Sequence, residues 1–348
     1  MLKLTNRKWK DFSLGSLFEI TGSKTTKVDT LEAIGDGLYP YVTTQTTNNG
    51  QAGYYNHFTE KGNILVIDSA VVGFCTFQKN NFTASDHVEK LIPKFPIDKH
   101  IALFLTNVIN ANNSKKFSYG YKASQTRLKD TKIFLPISND GLPDFDFMRE
   151  YIKEREQQKL QQYISFAKNE LKKIGSDIDV KEEKLKWKDF FVEDIFDIIS
   201  GKDAPLSENE GDIPYINSSG VNNGITCFVK DCSVKVKNCI TIARTGTVGS
   251  TFYQQNEVGI SGNIRALYLK DRELNKEIAQ FLITALKNSI EGNFDYGKIL
   301  GTERIKHLKI KLPVDADGNI DYKYMEAYIY IYISMQLKRY LGYLKNVV

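Results

Sequence analysis

Cysteine is scarce in this sequence, and its scarcity is the first constraint on function. Only four cysteines occur in 348 residues, Cys75, Cys227, Cys232 and Cys239, and no two stand as a Cys-x-x-Cys pair. That argues against a disulfide framework and against a cysteine zinc site. It points to a reducing, cytoplasmic compartment. The four histidines, His57, His87, His100 and His307, are scattered, and no HExxH helix occurs. There is no GxxxxGKS/T phosphate loop, no GxGxxG and no GxSxG. No Pro-Pro pair occurs among the eight prolines, so the Pro-Pro loop of amino-methyltransferases is missing as well. No apolar run reaches the length a membrane span needs. The opening MLKLTNRKWKDF lacks the apolar stretch of a signal peptide. Charge of one sign is only modestly in excess, 47 Lys and Arg against 42 Asp and Glu. That is too little for a polycationic tail, yet enough for phosphate contacts if it gathers on one face.

The chain is written twice. Trp9-Lys10-Asp11-Phe12 recurs as Trp187-Lys188-Asp189-Phe190, and Leu17-Phe18-Glu19-Ile20 as Ile195-Phe196-Asp197-Ile198. Tyr39-Pro40-Tyr41-Val42 recurs as Ile213-Pro214-Tyr215-Ile216, and Asn48-Asn49-Gly50 as Asn222-Asn223-Gly224. Arg127-Leu128-Lys129 with Leu135-Pro136 recurs as Arg304-Ile305-Lys306 with Leu312-Pro313. So many matches in one order exclude chance and imply two copies of one unit, hence a pseudo-twofold molecule.

Within each copy, Ile64–Ile67 and Ile240–Ala243 read as buried strands. The Asn-Asn-Gly triplets read as tight turns, because Asn and Gly tolerate positive φ. Residues 98–113 and 275–291 read as helices. Lys132–Pro136 and Lys309–Pro313 read as strands that a proline ends. Two long amphipathic helices follow, capped by Asp144 and Asp321, with Gly175 closing the first. Their seams run through Met148, Ile152, Leu160, Ile164 and Leu171, and through Met325, Ile329, Ile333, Leu337 and Leu344. The expected fold is α+β: recognition units at 1–143 and 181–318, a helix and linker at 144–180 and a terminal helix at 319–348. The two helices are expected to pack as an antiparallel coiled coil. The plainer alternative is that each helix covers only its own unit.

Catalytic constellations are weak. Glu182-Glu183-Lys184, with Asp177 and Asp179 upstream, lies in a charged linker without strand character. Asp68 and Asp86 form no repeated pair, since their counterparts read as Arg244 and Gly262. Binding signals are stronger. Residues 115–132 hold six cations against one acid, and residues 296–311 hold five against one, interleaved with aromatics and small polar residues. That is the inventory for phosphate and base-edge contacts. The copies differ most in their polar loops, as a scaffold reading two different half-sites would. The candidate DNA contacts in the first copy are Lys24, Thr26, Lys27, Thr44, Gln45, Thr46, Asn48, Ser85, His87, Tyr119, Lys122, Ser124, Gln125 and Arg127. In the second they are Lys202, Asn217, Ser218, Ser219, Asn222, Arg244, Ser261, Asn263, Arg265, Tyr296, Lys298, Thr302 and Arg304.

The Trp-Lys-Asp-Phe openings, Pro40-Tyr41 and Pro214-Tyr215, the Asn-Asn-Gly triplets, the Arg127–Pro136 and Arg304–Pro313 runs and the helix after each form one ordered set. In that set the whole chain resembles, twice over, the target-recognition domains of type I restriction-modification specificity subunits. Its compactness and short helices are closer to the specificity subunits of type IIB systems. The resemblance implies a non-catalytic specificity subunit that binds double-stranded DNA, each unit reading half of a split target in the major groove. It implies that the helices set the spacer and dock modification subunits. Methylation of adenine, S-adenosylmethionine, magnesium and nuclease chemistry then belong to partner subunits, and no cofactor to this chain. The rival reading is a stand-alone two-domain DNA-binding regulator or anti-restriction decoy. A protein- or glycan-binding repeat protein is a weaker rival.

Overall fold

The computed structural model describes residues 2–70, 72–114, 116–118, 120–175, 185–204, 211–294 and 297–347, with side chains to residue 344. The chain divides into two compact units, Met1–Tyr163 and Ile164–Val348. The sequence-based boundary at residue 143 is displaced into the long helix, whose first turns belong to the first unit.

The first unit opens with β1 (Trp9–Ser13), the one-turn helix α1 (Leu14–Leu17) and β2 (Phe18–Gly22). Ser13 caps α1 by accepting the Ser16 N–H, and Leu14, Leu17, Phe18 and Ile20 are all buried. There follow α2 (Val28–Ile34), β3 (Asp36–Val42), β4 (Gln51–Tyr55), β5 (Ile64–Asp68), β6 (Cys75–Gln78), β7 (Thr83–Ala84) and β8 (Val88–Pro93). The unit closes with α3 (Lys99–Asn113), α4 (Gln125–Lys129), β9 (Lys132–Pro136) and α5 (Phe145–Ile174). One antiparallel sheet has the order β2-β8-β5-β6; a second has the order β4-β3-β7, with β3 and β7 parallel; β1 pairs with β9. All five side chains of β5 are buried, the apolar run Ile64–Ile67 and Asp68 at its end. Ile101, Ala102, Leu105 and Ile109 of α3 join the core that this sheet supplies. Asp98 caps α3 by accepting the His100 and Ile101 N–H groups.

The second unit repeats this order: β10 (Lys186–Phe191), α6 (Val192–Ile195), β11 (Phe196–Ser200), β12 (Ile213–Ile216), β13 (Ile225–Val229), β14 (Lys235–Val236) and β15 (Cys239–Ala243). Then come β16 (Thr251–Gln254), β17 (Val258–Ile260), β18 (Ile264–Leu269), α7 (Lys276–Ile290), α8 (Thr302–Lys306), β19 (Lys309–Val314) and α9 (Tyr322–Val347). Its sheets run β11-β18-β15-β16 and β13-β12-β17-β14, with β10 on β19. β19 continues through Pro313, which pairs with Trp187, so here the proline does not end the strand. A two-stranded ribbon leaves one edge free, where a missing N–H does no harm.

The caps of the long helices lie where the sequence places them. Asp144 accepts the Phe147 N–H and Asp321 the Tyr324 N–H, each at 2.9 Å. Gly175 has φ +79° after the end of α5. The seams need correcting at their first members. Met148, with Ile152 packed against the same cluster, belongs to the first unit's core, and Met325 to the second unit's. The opening turns therefore cover their own units, as the plainer alternative held. Beyond them, Ala167 of α5 and Ile329, Leu337 and Leu344 of α9 are buried, while Leu160, Ile164, Leu171 and Ile333 are half-buried.

Candidate nucleic-acid interface

Strand direction gathers the polar loops of the first unit at one end. β2 ends at Gly22 opposite Glu89, and β5 ends at Asp68 opposite Val88. β3 ends at Val42 beside Ala84, the end of β7. The segments 23–27, 43–47, 85–87 and the one that starts at Ser69 therefore leave the sheets together. Their backbones are tied: the Thr26 N–H donates to the Ala84 carbonyl (2.8 Å), Ser69 to His87 (2.8 Å) and Ser85 to Val42 (2.9 Å). The start of α4 joins them through Gln125 Nε2, which donates to Glu89 Oε2 at 2.8 Å. Lys24, Lys27, Thr46, His87, Lys122 and Ser124 are exposed there, and Thr26, Thr44, Gln45, Ser85 and Gln125 are half-buried. Thr26 Oγ1 is held by Thr83, and Ser85 Oγ donates to the Asp86 carbonyl. Gln45 Nε2 donates to the Thr47 and Gln51 carbonyls. His87 sits at φ +61°.

The second unit builds the same end. Ser261 Oγ donates to Asn217 Oδ1 (3.0 Å), Ser218 Oγ lies 3.3 Å from Thr245 Oγ1, and the Arg244 N–H donates to the Asn263 carbonyl (2.9 Å). The Leu300 N–H donates to the Arg244 carbonyl, drawing in the loop before α8. Lys202 and Lys298 are exposed, and Ser219 and Asn263 are half-buried. Tyr119, Tyr296, Lys115, part of the basic stretch, and the carboxylate linker from Asp177 to Lys184 lie outside the described residues.

Several sequence-predicted contacts also help to hold the loops. Ser261 is 1 % exposed and Arg265 7 %. Both side chains are committed to internal hydrogen bonds, which a polar group needs once buried. Asn48 and Asn222 open the turns that close the β3–β4 and β12–β13 hairpins, where Gln78 and Gln254 donate to the Asn49 and Asn223 carbonyls. The Asn-Asn-Gly residues have φ between +48° and +80° in both units, which is why Asn and Gly stand there. Arg127 and Arg304 are exposed but not idle. Each donates through Nη1 to the carbonyl five residues upstream, Lys122 at 2.8 Å and Ile299 at 2.6 Å. Arg127 also lies 3.9 Å over the Tyr121 ring. Arg127→Ala and Arg304→Ala are thus expected to loosen the basic loops and weaken DNA binding, each by roughly 5- to 20-fold for one such interaction. Titration of duplex DNA against each variant checks this; wild-type affinity and salt slope in both would remove these loops from the DNA face.

The strand register revises one repeat pairing. Asp68 lies opposite Val88 and Ala243 opposite Ile264, so Asp68 corresponds to Ala243, and Ser69 to Arg244. Sequence reading also missed Glu89, the counterpart of Arg265, and Glu60. Glu60 accepts from Lys90 Nζ (2.7 Å) and from the Lys24 N–H (2.6 Å), anchoring the first loop. Comparing charge position by position along the repeat would have exposed the Glu89–Arg265 contrast.

Two copies of one strand-rich unit, each bearing a cluster of polar loops at one end that differ between the copies, define a duplicated scaffold with a variable loop face. The type I restriction modification DNA specificity domain matches residues 6–163 and again 184–340, and the chain belongs to that family. The type II restriction enzyme BgcI specificity subunit S.BcgI of Heyndrickxia coagulans is 30% identical over 331 residues, covering 92% of this chain and 94% of that protein. The crystal structure of the type I restriction-modification system S subunit from M. genitalium superposes with a TM-score of 0.53 at 16% identity, over 99% of this chain and 94% of that one. The chain is a specificity subunit of a restriction-modification system, and its role is DNA target recognition. Among the described residues no helix is long and apolar enough to cross a membrane.

Proposed function

We propose that each unit reads one half of a bipartite DNA target in the major groove, through the loop end described above. The observation that carries this reading is the repetition of that end with different side chains: the backbone ties recur, while Ser85-Asp86-His87 stands against Ser261-Gly262-Asn263 and Lys122–Gln125 against Ile299–Thr302. Recognition of two halves by one molecule adds their free energies, so either half alone binds weakly. The helices α5 and α9 set the spacer as an antiparallel pair and dock modification subunits. The burial of Ala167, Leu337 and Leu344, past the turns that pack into the unit cores, supports this. This chain performs no catalysis and holds no cofactor. S-adenosylmethionine, magnesium, adenine methylation and cleavage belong to modification and restriction subunits, or to a fused modification-nuclease partner, in a cytoplasmic complex. The similarity to a type II specificity subunit favours the type IIB arrangement.

Long-read methylome sequencing of the host with and without the gene tests the reading. Deletion is expected to erase one bipartite methyladenine motif. An unchanged methylome, with the partner genes intact and expressed, would overturn it in favour of a stand-alone DNA-binding regulator or anti-restriction decoy.

A further inference from the structure

The two units carry opposite charge at one structural position. The ladders align Leu65–Leu91 with Ile240–Leu267, so Ile67–Glu89 in the first unit matches Ile242–Arg265 in the second. One residue past the inner strand, Ser69 matches Arg244, because each N–H donates to the equivalent carbonyl, His87 and Asn263. The third member is the first residue of the short helix, Gln125 in α4 and Thr302 in α8.

In the first unit this trio is an acceptor site. Ser69 Oγ donates to Glu89 Oε1 at 3.2 Å and Gln125 Nε2 to Oε2 at 2.8 Å. A carboxylate has about four acceptor positions, so capacity remains for a further donor. In the second unit it is a donor site. Arg265 Nε donates to Thr302 Oγ1 at 2.7 Å, and Nη1 to the carbonyls of Gly262 at 2.9 Å and Ile264 at 2.8 Å. A guanidinium has about five N–H donors, so among the described residues Nη2 keeps donor capacity. Arg244 brings a second guanidinium, whose Nε is buried with no hydrogen-bond partner among the described residues. Burial first, and then the positive charge of Arg244, hold Arg265 below the ordinary arginine pKa. Asp203, the carboxylate of the adjoining loop, accepts the Gly262 N–H, and among the described residues no carboxylate pairs with either arginine. Two neighbouring cations without a carboxylate partner are unfavourable unless an acceptor-rich group meets the part of half-buried Arg244 that is still reachable.

We propose that the Arg244–Arg265 pair is where the second unit takes an acceptor-rich group of DNA, a guanine edge or a phosphate, and that Glu89 takes a base amino group at the same position of the first unit. This rests on the reading that the loop ends face DNA. An arginine fork fits the O6 and N7 acceptors of guanine, and a carboxylate accepts from a base amino group but repels phosphate. The inversion therefore keeps the units from exchanging half-sites.

The test uses strains carrying Arg244→Ala, Arg244→Lys or Glu89→Gln in the natural gene. Each is profiled by long-read methylome sequencing, and the assembled complex is titrated with the target duplex over a range of salt. Arg244→Ala is expected to lower methylation of the natural motif on the order of ten-fold, with the change confined to one half-site; Glu89→Gln is expected to affect the other half. If the ligand is a guanine edge, one base of the half-site becomes degenerate and Arg244→Lys does not restore it. If it is a phosphate, no base becomes degenerate, the salt slope falls by about one, and Arg244→Lys restores it. An intact motif with unchanged affinity and slope in Arg244→Ala and Glu89→Gln overturns the proposal. So does loss of specificity in both halves from one variant. Either result leaves the wild-type bipartite motif standing, whereas absence of that motif in the wild-type profile would defeat the underlying reading of the loop ends.

Discussion

Adding one helical turn to both α5 and α9, past Ile152 and Ile329, is expected to lengthen the preferred DNA spacer by about 1 to 2 base pairs. A turn rises about 5.4 Å, against about 3.4 Å per base pair. The insertion leaves both unit cores intact, because the core-forming residues of these helices, Met148, Ile152, Tyr322 and Met325, lie before it. Four added residues also keep the seam nearly in phase, since its members step by four and three. On the natural site the two units no longer engage together, and affinity falls by roughly 100-fold toward that of one half-site. Duplexes with spacers lengthened and shortened by up to about three base pairs separate the outcomes. A preference unchanged from wild type would show that the helices do not set the spacing.

Glu60→Ala is expected to destabilise the first unit by about 3 to 5 kcal/mol. Glu60 is 7 % exposed, and its carboxylate is the acceptor for Lys90 Nζ. Removing it strands a largely buried ammonium, which costs more than the pair itself contributes. The second unit has Ala266 at the position of Lys90, so its stability should not change. In thermal unfolding the transition of the first unit should fall by roughly 10 °C while the other stays in place. Glu60→Gln with Lys90→Met removes both charges and should recover most of the loss. Because Glu60 also accepts the Lys24 N–H, the first recognition loop should loosen in Glu60→Ala even below its transition. A first transition at the wild-type temperature would mean that water, not Glu60, satisfies Lys90.

Much of the fold was legible because it is written in short-range signals. Asp144 and Asp321 act within three residues, Asn-Asn-Gly within one turn, and the β5 run through the consecutive buried side chains Ile64–Ile67. The duplication was legible for a different reason: a second copy supplies its own alignment. Family membership followed from the order of those repeated marks.

Other features depend on contacts between residues far apart in the chain. No local pattern announces that β3 and β7 pair in parallel, yet that pairing brings the 43–47 and 85–87 segments together. The repeat alignment placed Asp68 opposite Arg244, because a one-residue shift between strand and loop leaves no trace in composition; the ladders assign Ala243 instead. Basic residues read as DNA contacts divide, in three dimensions, into exposed lysines, loop clasps at Arg127 and Arg304, and the pair of half-buried Arg244 and buried Arg265. The sequence alone determined that there are two units, of what class, and where their four long helices lie. Only the tertiary structure decided which polar side chains are committed to the fold and which still have donors or acceptors to offer DNA. That follows from hydrogen-bond capacity: residue type sets how many bonds a side chain can make, and the packing around it sets how many are already made.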